Sequence, residues 1–557
     1  MELKREMYPE IKRLAIQAGL ETTPIDSLLS ILSKKSAQMC SSGNPNTIGR
    51  LVLQENNYDT LFGADKSLLG EGTYGEVYLT STGSVNKNSK VDFISSDIRE
   101  ISILNYLSHP NVVCIYAVKF NLNDKLTMGM PAADFTLRNY KMKDAQDRKN
   151  IYYQLFRGLA YIHSKHVWHL DMKPANVLIY SNSGKTIAKI ADFGMAIPYA
   201  RKRVFDNPKS VITLYWRSPE NFLGIEDFDE RADVWSLGVM FLDSIVSTLN
   251  NYTFGAPTPK EVITLIFETL GWPDKNDWDE NIEGRLKKVG FKSLEIEELK
   301  KRTGILNMLT INKYEMDIIS KTVTWMDKRS SANEILALPY FKDETVESYL
   351  PADPVDIKPC GLSMVDDLNP VFKNNNIIKF ITKILSLSTN PKAESIKMSY
   401  YAAELLSKYN AKGHSITDDT TNASVGIAIS FINLYTSDKS DFNSSALLEI
   451  KKILIAVDFN LVFPTCYDFL MEYVEEHSPF YLDHKKALFK ILIFVYLFYA
   501  PKYTSDKVAQ IALAATGFSV GNGLKMTCSA GLDIYTDEIY NDLLLITGIS
   551  QLVQPPM

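Results

Sequence analysis

The pattern of hydrophobic and polar residues changes several times along the chain. Residues 1–60 are mostly polar with apolar side chains at helical spacing, which predicts an N-terminal helical extension. Residues 65–125 carry short alternating apolar runs broken by glycine, asparagine and serine, which predict strands. Helical periodicity dominates from 145 to 345 and again from 372 to about 518. The pattern therefore predicts a domain of strands and helices followed by an all-helical domain.

A proline-rich stretch separates these two domains. Residues 349–370 contain four prolines, too many for a helix and typical of an extended linker: Pro351, Pro354, Pro359 and Pro370. We predict an extension at 1–60, a first domain at 61–345, a linker at 346–371 and a helical domain at 372–557.

The composition narrows the class of protein. Apolar residues make up 45% of the 557 residues and charged residues 23%, which excludes a disordered or fibrous chain. Lysine plus arginine (60) is outnumbered by aspartate plus glutamate (66), so we expect neither nucleic acid nor a membrane surface as a partner. The longest apolar run, 491–500, is too short to span a bilayer. Five scattered cysteines and a start without a signal-peptide core favour an intracellular protein, cytoplasmic or nuclear.

A glycine-rich segment between two strand-like runs is a candidate phosphate-binding loop. Its glycines, Gly70, Gly72 and Gly75, form G-x-G-x-x-G and are followed by Val77. Glycine lets the backbone close over phosphates without a side chain in the way. A strand follows the glycines, whereas a dinucleotide-binding fingerprint requires a helix there. Alone the signal is weak, because a glycine-rich hairpin turn has the same pattern.

Two further segments supply the residues that phosphoryl transfer requires. In H-L-D-M-K-P-A-N (169–176), Asp171 is suited to orient the attacking hydroxyl and accept its proton, and Lys173 to neutralise the γ-phosphate. Asn176, and Asp192 in I-A-D-F-G (190–194), are suited to hold Mg²⁺. All three motifs in this order and spacing are very improbable by chance.

Together these motifs resemble the eukaryotic protein kinase family over residues 65–345. The segments R-S-P-E (217–220) and D-V-W-S-L-G-V (233–239) match that family, and the resemblance implies that Arg329 pairs with Glu220. Within the family the chain resembles cyclin-dependent kinases. The segments that carry this likeness are S-D-I-R-E (96–100), which makes Glu100 the helix glutamate, S-V-I-T-L-Y-W-R-S-P-E (210–220), with Thr213 and Arg217, and 266–278.

This resemblance implies a bilobal α+β kinase fold, with ATP and Mg²⁺ as cofactors and protein substrates. Arg217 falls at the family's substrate-proline position, which predicts phosphorylation of serine or threonine before proline. The hinge is expected near 128–132, with Met130 in the ATP-binding site. Pro131 lacks an N–H there and displaces one adenine hydrogen bond.

The chain departs from the family at the lysine that pairs with Glu100. The stretch after the glycine loop has no V-A-x-K tetrapeptide. Lys87 lies only 12 residues past Gly75, which favours Lys90 as the ATP-binding lysine. That both lysines are solvated turn residues stays open.

The activation segment also departs from the family. Leu170 and Ile197 replace two arginines that, with Arg99, would grip a phosphothreonine, and Pro208 replaces that threonine. An unpaired cluster of positive charge only costs energy, so losing the acceptor removes the reason for the clamp. We therefore predict activity without activation-loop phosphorylation, with Ser210 as a fallback acceptor. Thr73 and Tyr74 match a pair that is inhibited by phosphorylation in the family, or are plain loop residues.

The helical domain resembles cyclins. A helix ends at Phe459-Asn460-Leu461 and Pro464 starts the next, which divides the domain into repeats at 372–460 and 464–557. The family's buried Lys–Glu pair falls on Ser430 and Ile450, with Glu449 one position away. An unrelated helical bundle is the alternative, because helical periodicity is common.

The sequence thus predicts an α+β bilobal protein-kinase fold followed by an all-α cyclin-like domain of two helical repeats. The linker keeps the two at about millimolar effective concentration, so an intramolecular kinase–cyclin interface would activate the kinase in cis. Such a fusion resembles what a large DNA virus would encode to bypass host cyclin control. The alternatives are a pseudokinase scaffold that has lost its ATP-binding lysine and an active kinase whose helical domain docks substrates.

Overall fold

The computed structural model describes two parts of the chain, residues 62–342 and 393–465. Gaps within them lie at 63, 72–74, 82, 90–94, 116, 121–125, 183–184, 199–213, 226–227, 247–251, 274–280, 433–443 and 463–464. The two parts fall into two compact units. The predicted extension at 1–60 and linker at 346–371 lie outside the described residues, and the proposed domain boundaries stay predictions.

The first unit begins with an antiparallel sheet in the order β1-β2-β3-β5-β4. Its strands are β1 (Asp65–Glu71), β2 (Gly75–Thr80), β3 (Ser84–Ser89), β4 (Ala117–Phe120) and β5 (Leu126–Pro131), and helix α1 (Ser95–Tyr106) lies between β3 and β4 in the chain. Strand β3 is polar in sequence, S-V-N-K-N-S, yet lies inside the sheet. The Asp65 carboxylate accepts hydrogen bonds from the side-chain amides of Asn86 and Asn88, which gives each amide nitrogen an acceptor.

The helical part of this unit is built around α2 (Ala145–Ser164) and α4 (Arg231–Val246). Asp144 caps the N-terminus of helix α2, because its side chain accepts the Asp147 N–H, and helix α4 is buried along residues 232–243. The remaining helices are α3 (Pro219–Phe222), α5 (Pro259–Leu270), α6 (Ile282–Val289), α7 (Ser293–Lys300), α8 (Lys313–Thr322) and α9 (Ala332–Leu336). A sheet lobe followed by a helical lobe is the α+β kinase architecture that the sequence predicts.

Short strands on either side of α2 carry the catalytic segments. They are β6 (Phe135–Thr136), β7 (Val167–Trp168), β8 (Val177–Asn182), β9 (Lys185–Ile190) and β10 (Ile197–Pro198). Strands β6, β8 and β9 form one sheet, and β7 pairs with β10 in another. The turns at the ends of β7 and β9 bring residues 169–176 and 191–195 together.

The second unit contains α10 (Ala393–Ala411), α11 (Asp418–Ile432) and α12 (Ser444–Ala456). Buried apolar side chains join the three helices, and the turn after α12 buries Phe459 and Leu461. The Tyr401 hydroxyl donates to the Leu461 carbonyl at 2.6 Å, which fixes this turn against α10. Residues 466–557 lie outside the described part, so the cyclin-like arrangement of two repeats stays a prediction. Among the described helices, none combines the length and apolarity that crossing a membrane requires.

Candidate active site

A buried ion pair joins the sheet to helix α1. Lys87 lies on β3 opposite Val77 of β2, and its Nζ donates to Glu100 Oε2 at 2.6 Å and Oε1 at 2.8 Å. The same Nζ is 3.3 Å from Asp192 Oδ1. Only 17% of the Lys87 side chain and 5% of the Glu100 side chain are exposed. One ammonium group therefore connects α1 to the segment that contains Asp192.

This geometry corrects the sequence-based choice of Lys90 as the lysine that pairs with Glu100. Strands β2 and β3 are joined by residues 81–83 alone, and Gly83 takes φ +81°, a value that favours glycine. Because the hairpin is this tight, β3 begins early enough to place Lys87 beside Glu100. Lys90 itself lies outside the described residues. One sequence signal could have identified this lysine. Lys87 lies two residues after Val85, so the two side chains share one face of a strand.

Charge and burial set the protonation of these groups. Burial alone would lower the pKa of the Lys87 ammonium, but the negative charges of Asp192 and Glu100 outweigh it and raise that pKa above its ordinary value. Burial also raises the pKa of Glu100, against the opposing effect of Lys87. For Asp192, burial is outweighed by the positive charge of Lys87, so its pKa is lowered and it is ionised at neutral pH.

The segment 169–176 holds the candidate catalytic aspartate by hydrogen bonds within itself. Asp171 Oδ2 accepts from Lys173 Nζ at 2.5 Å and from Asn176 Nδ2 at 3.0 Å. Asn176 Nδ2 also donates to the Asp171 carbonyl at 2.9 Å. The Asn176 carbonyl in turn accepts the Ala191 N–H at 2.9 Å. The three residues that the motif predicts therefore form one cluster, directly linked to the strand end before Asp192.

Asp233, at the start of α4, fixes the backbone of this segment. Its carboxylate accepts the backbone N–H groups of His169 and Leu170, both at 2.8 Å. Leu170 has φ +60°, an unfavourable conformation for a side chain of its size, and these hydrogen bonds hold it. The His169 ring packs edge-on against Phe193, with ring centroids 4.9 Å apart. The sequence motif 233–239 included Asp233, but its role depends on contacts across more than 60 positions.

The donor set fits a magnesium ion. Asn176 uses its amide nitrogen on Asp171, which leaves its side-chain oxygen as a ligand, and Asp192 supplies an ionised carboxylate. Oxygen atoms of this kind are the ligands that Mg²⁺ prefers. Lys87 and Lys173 add two ammonium groups suited to phosphate oxygens.

Two residues that replace family arginines are packed in one apolar cluster. Leu170 and Ile197 are buried, and we define the apolar cluster by them and their neighbours Trp168, Phe228 and Ala232. Ile197 of β10 pairs with Trp168 of β7, so the strand after Asp192 is attached to the strand before Asp171. Hydrophobic contact holds these two strands where the family resemblance implies positive charge.

The pair that the resemblance implies between Glu220 and Arg329 is present. Arg329 donates to the two carboxylate oxygens at 2.6 and 3.0 Å, and both side chains are fully buried. Arg217 is also buried, with its guanidinium 5.3 Å from the centre of the Phe222 ring.

The rest of the predicted ATP-binding set is partly described. Gly75 lies where β2 approaches β3 so closely that a Cβ would come within 2.9 Å of the Asn88 carbonyl oxygen. Gly70 lies on β1, and Met130 on β5 pairs with Val85 on β3. The predicted residues Gly72, Thr73, Tyr74, Ser210 and Thr213 lie outside the described residues.

Comparison with known proteins identifies the family of the first unit. The protein kinase domain family matches residues 64–341. Cyclin-dependent kinase C-3 from Oryza sativa subsp. japonica is 32% identical over 235 residues, which cover 38% of this chain and 70% of that protein. The family match spans the segments that carry Lys87, Asp171, Asn176 and Asp192. The chain therefore belongs to the protein kinase family and is a protein serine/threonine kinase.

Proposed function

We propose that this kinase phosphorylates serine or threonine before proline, is activated in cis by residues 372–557 and needs no phosphate on its activation segment. The observation that carries the proposal is the contact of Lys87 with both Glu100 and Asp192. In kinases, activity requires the helix glutamate to reach this lysine and the Asp-Phe-Gly aspartate to be in place. The first unit has both features.

Protein kinases use ATP with Mg²⁺, and each residue of the site has a defined task. When bound, the metal neutralises charge on the transferred phosphoryl group. Asp171 orients the substrate hydroxyl and accepts its proton, and its hydrogen bonds to Lys173 and Asn176 fix its direction. Lys87 holds phosphate oxygens while Glu100 fixes Lys87. Asn176 and Asp192 would hold the metal.

Two observations support independence from activation-segment phosphorylation. The apolar cluster buries Leu170 and Ile197, so neither position offers a cation to a phosphate. Arg99, the third residue of the family clamp, is buried and its Nε donates to the Gly194 carbonyl at 2.9 Å. Leu170 and Ile197 thus pack beside the β7–β10 pair, and Arg99 joins α1 to the segment after Asp192, in contacts that need no phosphate.

Activation in cis rests on the presence of a helical unit in the same chain and on its likeness to cyclins. The buried turn at Phe459 and Leu461 is where the likeness places the junction between repeats. Ile450 is buried on α12, so the Lys–Glu pair of cyclins has no counterpart at that position. The kinase contact would then rely on other residues of the unit.

The first test is phosphotransfer from magnesium-ATP to a Ser-Pro peptide and to its Ser-Ala counterpart. Full-length protein is compared with Asp192→Asn and with a truncation ending at Ser348. We expect activity in the full-length protein alone, with preference for the Ser-Pro peptide, unchanged by phosphatase treatment. Equal activity in the truncation would overturn cis activation and favour a substrate-docking role for the helical domain. Equal rates on both peptides would overturn proline direction.

The state of the activation segment is measured separately. Intact mass of the active full-length protein is expected to show no stoichiometric phosphate between residues 199 and 213. A phosphate whose removal abolishes activity would refute this part of the proposal and leave the rest standing.

A further inference from the structure

Arg99 on α1 hydrogen-bonds to the backbone of the segment that follows Asp192. It precedes Glu100 on α1 and is 4% exposed, and its Nε donates to the backbone carbonyl of Gly194 at 2.9 Å. Here a charge-assisted hydrogen bond joins α1 to the segment two residues after Asp192.

Helix α1 packs closely over Gly194, the residue that Arg99 contacts. The first turn of α1 covers Gly194, and a Cβ at that glycine would lie 3.4 Å from the Cβ of Ser96. Phe193 is fully buried beside it. Asp192 has φ +65° and ψ +74°, in the left-handed region that non-glycine residues rarely adopt. Such a conformation persists only where the surroundings hold it.

Two neighbouring residues of α1 therefore hold the Asp192 segment from two sides. Glu100 fixes Lys87, whose Nζ reaches Asp192 Oδ1, and Arg99 fixes the carbonyl of Gly194. Helix α1 therefore holds both the side chain of Asp192 and the backbone that follows it.

We propose that Arg99 is a positioning residue for magnesium-nucleotide binding, acting through its Nε–H on Gly194 to hold Asp192 in its ligating conformation. The inference rests on the magnesium site proposed at Asp192 and Asn176. It differs from the role that the family resemblance implies for Arg99, because it depends on one hydrogen-bond donor and not on positive charge.

Two substitutions separate the donor from the charge. In Arg99→Gln the side-chain amide nitrogen occupies the same place along the chain as the arginine Nε, so a donor is kept at that place while the charge and the Nη donors are lost. In Arg99→Met a methyl group occupies that place, so that donor is lost as well. The two replacements are similar in length.

The experiment measures ADP affinity of the full-length protein with Mg²⁺ and with a chelator, by calorimetry. The wild-type protein is expected to bind ADP more tightly with Mg²⁺, and Arg99→Met to lose roughly ten- to a hundredfold of that enhancement, the worth of a charge-assisted hydrogen bond. Arg99→Gln is expected to retain most of it. Affinity for magnesium-free ADP should be equal in all three. In phosphotransfer assays Arg99→Met should lower kcat and leave KM for the peptide unchanged.

Each other result overturns the inference in a distinct way. Full enhancement in Arg99→Met would refute the role of Arg99, and an equal loss in both variants would assign the effect to the charge or the Nη groups of the guanidinium instead of Nε. A matching fall in magnesium-free ADP affinity would indicate general damage to the fold. A wild-type protein with no enhancement would refute the magnesium site itself, and the inference with it.

Discussion

Replacing Lys87 with methionine tests the central feature of the site. The substitution keeps the length of the side chain and removes the ammonium group that contacts Glu100 and Asp192. Glu100, with 5% of its side chain exposed, is then buried beside Asp192 without its cation. Breaking a buried pair on one side costs about 3–5 kcal/mol. We expect about 3 kcal/mol, because Lys87 keeps 17% exposure and Glu100 can take up a proton.

That loss corresponds to a fall in Tm of roughly 6–10 °C for a domain of this size. Phosphotransfer should fall by about 10²–10³-fold, the usual effect of removing one preorganised electrostatic contact. Adding Glu100→Gln to Lys87→Met should restore much of the stability and none of the activity, since it removes only the stranded carboxylate. The assays are thermal unfolding and peptide phosphorylation by the full-length protein.

Lys90→Met is the matched control, because the sequence alone favoured that lysine. It is expected to leave Tm and kcat close to the wild-type values. If Lys90→Met abolished activity while Lys87→Met did not, the assignment of the nucleotide lysine to β3 would be wrong. If the double variant were no more stable than Lys87→Met, burial of Glu100 would not be the source of the cost.

Three further predictions concern stability, each checked by denaturant unfolding. Arg329→Lys should cost at least about 3 kcal/mol, because an ammonium cannot reproduce the paired hydrogen bonds to the buried Glu220; a neutral result would refute this. Gly238→Ala should cost about 1–3 kcal/mol, because the added Cβ would lie 2.4 Å from the Thr322 Cβ; since alanine keeps that atom, adding Thr322→Ala should give little rescue, and a neutral result for Gly238→Ala would contradict the packing argument. Burial, with nearby positive charge, lowers the pKa of His109 from its ordinary value of 6.5 to about 4. Neutral His109 therefore contributes fully to the free energy of unfolding above pH 6.5, and this contribution is lost as the pH falls toward 4. His109→Asn should flatten that part of the stability curve, and an unchanged slope would exclude His109 as its source.

The catalytic centre could be predicted from sequence because its members are close in the chain. Asp171, Lys173 and Asn176 lie within six residues, and their contacts form inside one short segment. Asp192 follows a strand in a fixed tripeptide. In such segments residue type and spacing already determine which atoms can meet. The β3 lysine was less determined, because two lysines lie three residues apart and the spacing from Gly75 favoured Lys90 over Lys87.

What the sequence alone determined is the identity of the reacting groups and the loss of the family arginines. It did not determine which contacts stand in for those of the arginines. Leu170 and Ile197 are far apart in the chain, and their shared cluster exists because β7 pairs with β10 and α4 closes over both. The choice of Lys87 was likewise made by the β2–β3 hairpin, and the partner of Arg99 by the packing of α1 on Gly194. Local motifs encode chemistry in residue type, whereas contacts over long separations depend on strand register and helix packing, which only the folded chain sets.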